Sequence, residues 1–189
     1  VPGFGVWGGD AEPEDLPLAN WVAGMNACDA DLGGRRKYRF GMEIRFAEDQ
    51  PRDVILEAMA ACNGQIAELG GVYRVQVDAP ETPVAAFTDD DLLVSEGGQD
   101  DPFQDINTVF NGVSIVHPDP ANLWNDSPAF TVTNPAYAAA DGTERVADLR
   151  LVGCPVSEQA KQIANAWLED NRRFLSHQRG LPVDYFFLD

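Results

Sequence analysis

Residues 37–78, KYRFGMEIRFAEDQPRDVILEAMAACNGQIAELGGVYRVQVD, decide the fold. Tyr38, Phe40, Met42, Ile44 and Phe46 alternate with Lys37, Arg39, Gly41, Glu43 and Arg45, which is the period of a strand with one buried face. Pro51 suits the first position of a helix, where its missing N–H costs no bond. Val54, Ile55, Ala58, Met59 and Cys62 give that helix an apolar stripe, and Asn63-Gly64 offers the left-handed residue that stops it. Residues 65–69 and 72–78 flank Gly70-Gly71, so they predict a tight hairpin. Strand, helix and hairpin together predict a βαββ module.

Upstream, residues 7–17 hold Gly8-Gly9, several acids and two prolines, the composition of an extended arm, which we place at 1–17. Leu18, Trp21, Val22, Met25 and Cys28 recur at helical spacing and predict a helix over 17–29, closed by Asp31-Leu32-Gly33-Gly34. The βαββ module then spans 18–94; residues 84–87 add a short edge strand and Thr88 caps a turn through Asp89-Asp90-Asp91.

Downstream, residues 95–105 read as loop and 107–117 as a strand with Val109, Val113 and Ile115 on one face, ended by Pro118-Asp119-Pro120. Residues 121–143 read as irregular, anchored by Trp124 and Phe130, and 145–152 as another strand. Val156-Ser157-Glu158 resembles a capped helix start. Ala160, Ile163, Ala164, Trp167, Leu168, Phe174 and Leu175 carry the stripe of a long helix ending near Gln178-Arg179-Gly180, and 181–188 suits a last strand. The expected class is α+β: the βαββ module, then antiparallel strands over 95–189 as a partial barrel, with the long C-terminal helix on one side.

At 189 residues, 44% hydrophobic and 23% charged, the chain can bury a full core without a staple. Acids outnumber bases 31 to 13, giving a formal charge of −18 and an anionic surface. The only dense basic cluster is Arg35-Arg36-Lys37-Tyr38-Arg39. Stable nucleic-acid binding and attraction to anionic lipid are excluded on that balance. No run is long and apolar enough to insert in a membrane, and the first residues lack the pattern of a signal peptide. A start at Val1-Pro2-Gly3 without an initiator Met reads as a piece excised from a larger protein. Cys28, Cys62 and Cys154 stand far apart in sequence and suit buried free thiols in a reducing compartment.

Converging reactive groups are not visible. His117 ends a strand and His177 closes a helix, surface or capping positions without a second ligand at metal spacing. No nucleophile elbow, phosphate loop or HExxH motif occurs. The expectation is therefore no catalytic, cofactor-binding or metal residue, hence no enzyme and no cofactor. Asp100, Asp101 and Asp105 could offer oxygens to calcium, but without the EF-hand order a solvated acidic loop is the simpler reading. Trp7, Trp124, Tyr137 and Phe186 lie outside the most regular elements, where aromatics either anchor interfaces or fill gaps in the chain's own core. The candidate interface residues are Trp7, Trp124, Tyr185, Phe186 and Phe187. A non-catalytic carbohydrate- or receptor-binding module using Trp124 and Trp7 as stacking surfaces is the alternative.

Several of these pieces also follow a known order. Asn20-Trp21-Val22-Ala23, Asn26-Ala27-Cys28-Asp29, Arg39-Phe40, Pro51-Arg52-Asp53-Val54-Ile55-Leu56-Glu57-Ala58-Met59, Cys62-Asn63-Gly64, Gly70-Gly71-Val72-Tyr73-Arg74-Val75, Phe87-Thr88-Asp89-Asp90-Asp91 and Phe110-Asn111-Gly112-Val113 succeed one another. That succession resembles the "putative phage tail protein" region of host-specificity (J-type) tail-tip attachment proteins and of the related hub proteins of gene transfer agents. It covers residues 20–115 well; the helix from Glu158 matches less closely, and 122–140 has no counterpart. The resemblance implies a non-catalytic hub at the virion's tail tip, made in the bacterial cytoplasm. Such a hub joins the tail tube to the receptor-recognising end and contacts other tail proteins and copies of itself as a trimer. It implies the hub role for 18–94 and a junction turn at Thr88-Asp89-Asp90-Asp91. An anionic bore that does not hold passing DNA would suit the charge.

Overall fold

The structure, a computed structural model, describes residues 12–45, 47–77, 86–93, 98–101, 105, 108–173 and 176–182. Pro13–Asp15 form a single helical turn inside the expected arm. Helix α1 runs Leu18–Asp29 and α2 runs Pro51–Ala61, the latter with Pro51 in its first turn and Asn63 left-handed just beyond its end. The hairpin is as read: β1 (Gln65–Leu69) pairs antiparallel with β2 (Val72–Gln76). Gly70 and Gly71 both have positive φ, 61° and 87°, the conformation a two-residue connection needs to match strand twist. The Thr88 turn also forms: the Asp91 carboxylate accepts from Thr88 N at 2.7 Å and from its hydroxyl at 2.8 Å.

Further along come β3 (Gln99–Asp101), β4 (Gly112–Val116), β5 (Pro118–Asp119), β6 (Asn125–Asp126) and β7 (Phe130–Thr133). They are followed by α3 (Pro135–Asp141), β8 (Val146–Arg150), α4 (Ser157–Asn171) and β9 (Ser176–Gln178). The central strand is β4, antiparallel to β7 and parallel to β8. Helix α4 lies on this sheet with Ala160, Ile163, Ala164 and Leu168 turned inward against Val113 and Ile115, all buried. Tyr38, Ala61, Cys62 and Val77 join the same core cluster, so residues from both halves of the chain share one interior.

The α+β class holds, with corrections inside it. Residues 37–45 form no ladder strand. Their backbone is held by scattered main-chain bonds, from Lys37 N to Ala30 O, Tyr38 N to Cys28 O and Gly41 N to Gly153 O, and at the centre by a side chain: Gln159 of α4 accepts from Arg39 N (2.9 Å) and donates to Arg39 O (2.9 Å). The alternation correctly marks an extended segment with Tyr38 inward, but the partner is a carboxamide where a neighbouring strand was expected. The module is thus αββ among the described residues.

Residues 121–143 are not irregular: they hold β6, β7 and α3. Asn134 caps α3 by accepting from Ala136 N at 3.0 Å, with Pro135 following in the first turn. The strands after 95 are not all antiparallel, since β8 enters beside β4 in parallel. The described strands form separate small sheets and close no barrel. Helix α4 ends at Asn171, earlier than expected, because the chain returns as β9 to pair with β3. His177 accordingly sits in a strand, not at a helix end. Ser157 makes no cap bond; its hydroxyl faces His117. The expected last strand falls largely on residues 183–189, outside the described residues.

The same carboxamide device recurs. Asn20 of α1 accepts from Val75 N (2.8 Å) and donates to Val75 O (3.0 Å), occupying the outer edge of β2. Asn171 accepts from Phe110 N (2.9 Å) and donates to Thr108 O (3.0 Å). Asn111 accepts from Arg145 N (2.9 Å) and donates to Thr143 O (2.8 Å). Each amide presents one donor and one acceptor, the pair a strand edge otherwise supplies.

Candidate functional site

The β5–β6 hairpin builds the most exposed apolar feature of the described residues. Asp119 begins its turn by accepting from Ala121 N at 2.9 Å, and Trp124 N donates back to Asp119 O at 2.9 Å. Asn125 closes the turn through a bond from its amide to Asn122 O, 2.9 Å. Between them Leu123 and Trp124 are both left-handed, with φ of 53° and 63°, a conformation that costs a bulky L-residue energy and persists only where surroundings fix it. The result is a rigid knob: Leu123 is 86% and Trp124 55% exposed.

Behind the knob lies a groove of about 700 Å³. The Trp124 ring covers Gly41, where an added Cβ would stand 3.1 Å from Cη2. Glu43 and the Arg150–Asp126 ion pair (2.8 Å) supply its polar wall.

His117 is at the floor, 2% exposed. This corrects the surface reading of that histidine. Its Nε2 lies 3.0 Å from Ser157 Oγ and its Nδ1 2.9 Å from Pro118 O. A serine hydroxyl against an imidazole is also the opening geometry of nucleophilic catalysis. Here both ring nitrogens are engaged, and the pair ties the end of β4 to the start of α4.

Tyr137 is engaged within the chain. Its hydroxyl donates to Glu169 at 2.7 Å, which raises its pKa, and the Arg172 guanidinium lies over its ring at 4.5 Å. Arg172 forms a two-bonded pair with Asp141, one arm at 3.0 Å, and Asn111 donates to the same carboxylate at 2.8 Å. These bonds, the Arg172 contribution first, hold the Asp141 carboxyl at about 2.

Of the candidate interface residues only Trp124 is described; Trp7, Tyr185, Phe186 and Phe187 lie outside the described residues. Asp100, one of the possible calcium ligands, is paired with Arg179 at 2.6 Å. No group of three potential metal ligands occurs among the described residues, and no helix among them is long and apolar enough to cross a membrane. Sequence reading missed Leu123, the most exposed member of the knob. Its position between two prolines' turn and Trp124 carries the signal only once the β5–β6 pairing is known.

A family model described as "Putative phage tail protein" matches residues 50–188. The match begins later than the resemblance read from sequence and runs through residues 122–140, for which that reading found no counterpart. No curated protein matches the chain.

Proposed function

Since the chain belongs to this phage tail family and is a virion-associated component that works among other tail proteins, we propose that it is a non-catalytic building block of a tail-tip hub. In this role it joins the tail tube to the receptor-recognising end, contacts copies of itself as a trimer, and is made in the bacterial cytoplasm before assembly.

The observation that carries this reading is the Leu123–Trp124 knob. A protein that acts by fitting against neighbours needs large apolar side chains held outside its own core, and interface energy concentrates on such anchors. Leu123 and Trp124 sit on a turn stiffened by three hydrogen bonds, so little ordering entropy remains to be lost on docking. The −18 charge supports a bore through which DNA passes without sticking.

Changing Leu123 and Trp124 together to Ser should leave the melting midpoint of the isolated chain within about 2 °C, because exposed positions carry little folding energy. The same change should abolish tail-tip assembly, scored by electron microscopy of particles made with the variant. Intact tips with both residues replaced would count against the hub role of the knob.

One observation favours a second reading: Trp124 stands over a groove walled by Glu43, Asp126 and Arg150, the planar polar groups that hydrogen-bond sugar hydroxyls while an indole stacks on the ring. Glycan binding lost on Trp124→Ala in particles that assemble normally would select this binding-module reading over the hub.

A further inference from the structure

Cys28, on the last turn of α1, and Cys62, just past the end of α2, are distant in sequence, yet they line the same groove and pack into the same core cluster. Both thiols are free and line one groove of about 310 Å³ between the helices and β2, with Trp21, Tyr38 and Met59 around them. Cys28 is half-buried at this opening, whereas Cys62 is buried and donates to Met59 O at 3.3 Å. Cys154 is fully buried elsewhere in the core, its thiol directed at Val156 O. We propose that Cys28 and Cys62 are a latent disulfide, a pair that a peroxide closes into a covalent staple between α1 and α2.

Lining one groove from facing helix ends brings the two thiols together, which is the first demand of a bridge. The chemistry balances in two steps. Cys28 sulfur attacks one peroxide oxygen and the O–O bond breaks, leaving a sulfenic acid on Cys28 and one water. Cys62 sulfur then displaces the sulfenic hydroxyl, the S–S bond forms, and a second water carries away the thiol proton. Two thiols are oxidised by two electrons and one peroxide is reduced to two waters.

The staple would act where the fold is least secured. Helix α1 contributes no fully buried residue, and its named side-chain bonds to β2 are those of Asn20 and Trp21. Burial pushes both thiols up, Cys62 to about 12, so few thiolates are present at neutral pH and closure is slow. Under the tail-component reading, the bridge then forms after particles leave the reducing cell interior; the oxidation chemistry does not depend on that reading.

The test is to hold the intact 189-residue chain in millimolar hydrogen peroxide for hours, then map peptides by mass spectrometry without reduction. The expected product is one cross-linked peptide pair joining Cys28 to Cys62, two hydrogens lighter, with Cys154 still reactive to a thiol reagent after unfolding. Dithiothreitol should reverse it, and the bridged form should melt higher by about 5 °C. In Cys62→Ser the same treatment should stop at a Cys28 sulfenic acid that dimedone traps. Unchanged thiols, a Cys28 sulfinic acid beside a free Cys62, or bridges between chains would each overturn the proposal.

Discussion

Replacing Gln159 by Leu is expected to lower the melting midpoint by about 10 °C. The side chain is fully buried and makes three bonds: it accepts from Arg39 N, donates to Arg39 O, and donates to Ala61 O at 2.6 Å. Leucine has nearly the same volume, so the change leaves no large cavity and isolates the polar effect. It strands the Ala61 carbonyl in the interior and leaves the Arg39 N–H and carbonyl unpaired at a partly buried site, each costing about 1 to 3 kcal/mol where water does not reach. Partial relaxation of the 37–45 segment towards solvent reduces the sum, leaving about 3 to 4 kcal/mol, and a domain of this size loses roughly 2 to 4 °C for each kcal/mol. Calorimetry of the two proteins measures this directly. A shift under about 3 °C would mean that the segment is held by something other than Gln159. Gln162→Leu provides the contrast, since its amide makes two long contacts from a half-buried site, donating to the Tyr38 hydroxyl and accepting from Arg35, both at 3.3 Å; it should shift the midpoint by less than about 3 °C.

The second large effect is expected at Asn111. Asn111→Ala removes the bonds to Arg145 N, Thr143 O and the Asp141 carboxylate, at a site with no exposure. The turn from α3 into β8 loses its anchor, and about 2 to 4 kcal/mol of stability should go with it.

The same substitution should alter the acid limb of the stability curve. Asp141 is held at about 2, below its ordinary value, by Arg172 first and Asn111 second. A carboxyl depressed on folding stabilises the protein fully above its unfolded pKa near 4. That stabilisation is lost as pH falls through the folded value. Without Asn111 the folded pKa rises, so less stability remains to be lost between about pH 4 and pH 2. Asp141→Asn should flatten that interval further. Urea midpoints of the three proteins at pH 6, 4 and 2.5 decide the matter: parallel curves would show that Asp141 titrates outside this network.

Much of the fold was legible because local signals were complete. Pro51 with the stripe from Val54, Asn63 at the end of α2, and Gly70-Gly71 each impose a backbone conformation without help from distant residues. The segment at 37–45 was legible only as extended, because whether an extended chain joins a ladder depends on what lies beside it. In this case that neighbour is a glutamine about 120 positions away. The parallel entry of β8 next to β4 is likewise a property of the chain's return path, not of residues 146–150.

At 121–143 local signals existed in Asn134-Pro135 and the following alanines, and the short β7 with its mixture of Thr and Val was submerged between two turns. The site divides in the same way. Trp124 stood out by residue type, whereas Leu123 became part of the knob only through its left-handed backbone. His117 was misjudged because proximity to Pro118 says nothing about the helix that later covers it.

The carboxamides set against extended backbone bear on how such a protein behaves when crowded. A virion component is packed among other tail proteins at high local concentration, where a bare β edge invites a stranger's backbone to zip on and propagate. At Val75 the outward N–H and C=O are already taken by Asn20. There the rim is closed to recruitment, and contacts with other tail proteins are left to shape-matched side chains that seat once and stop.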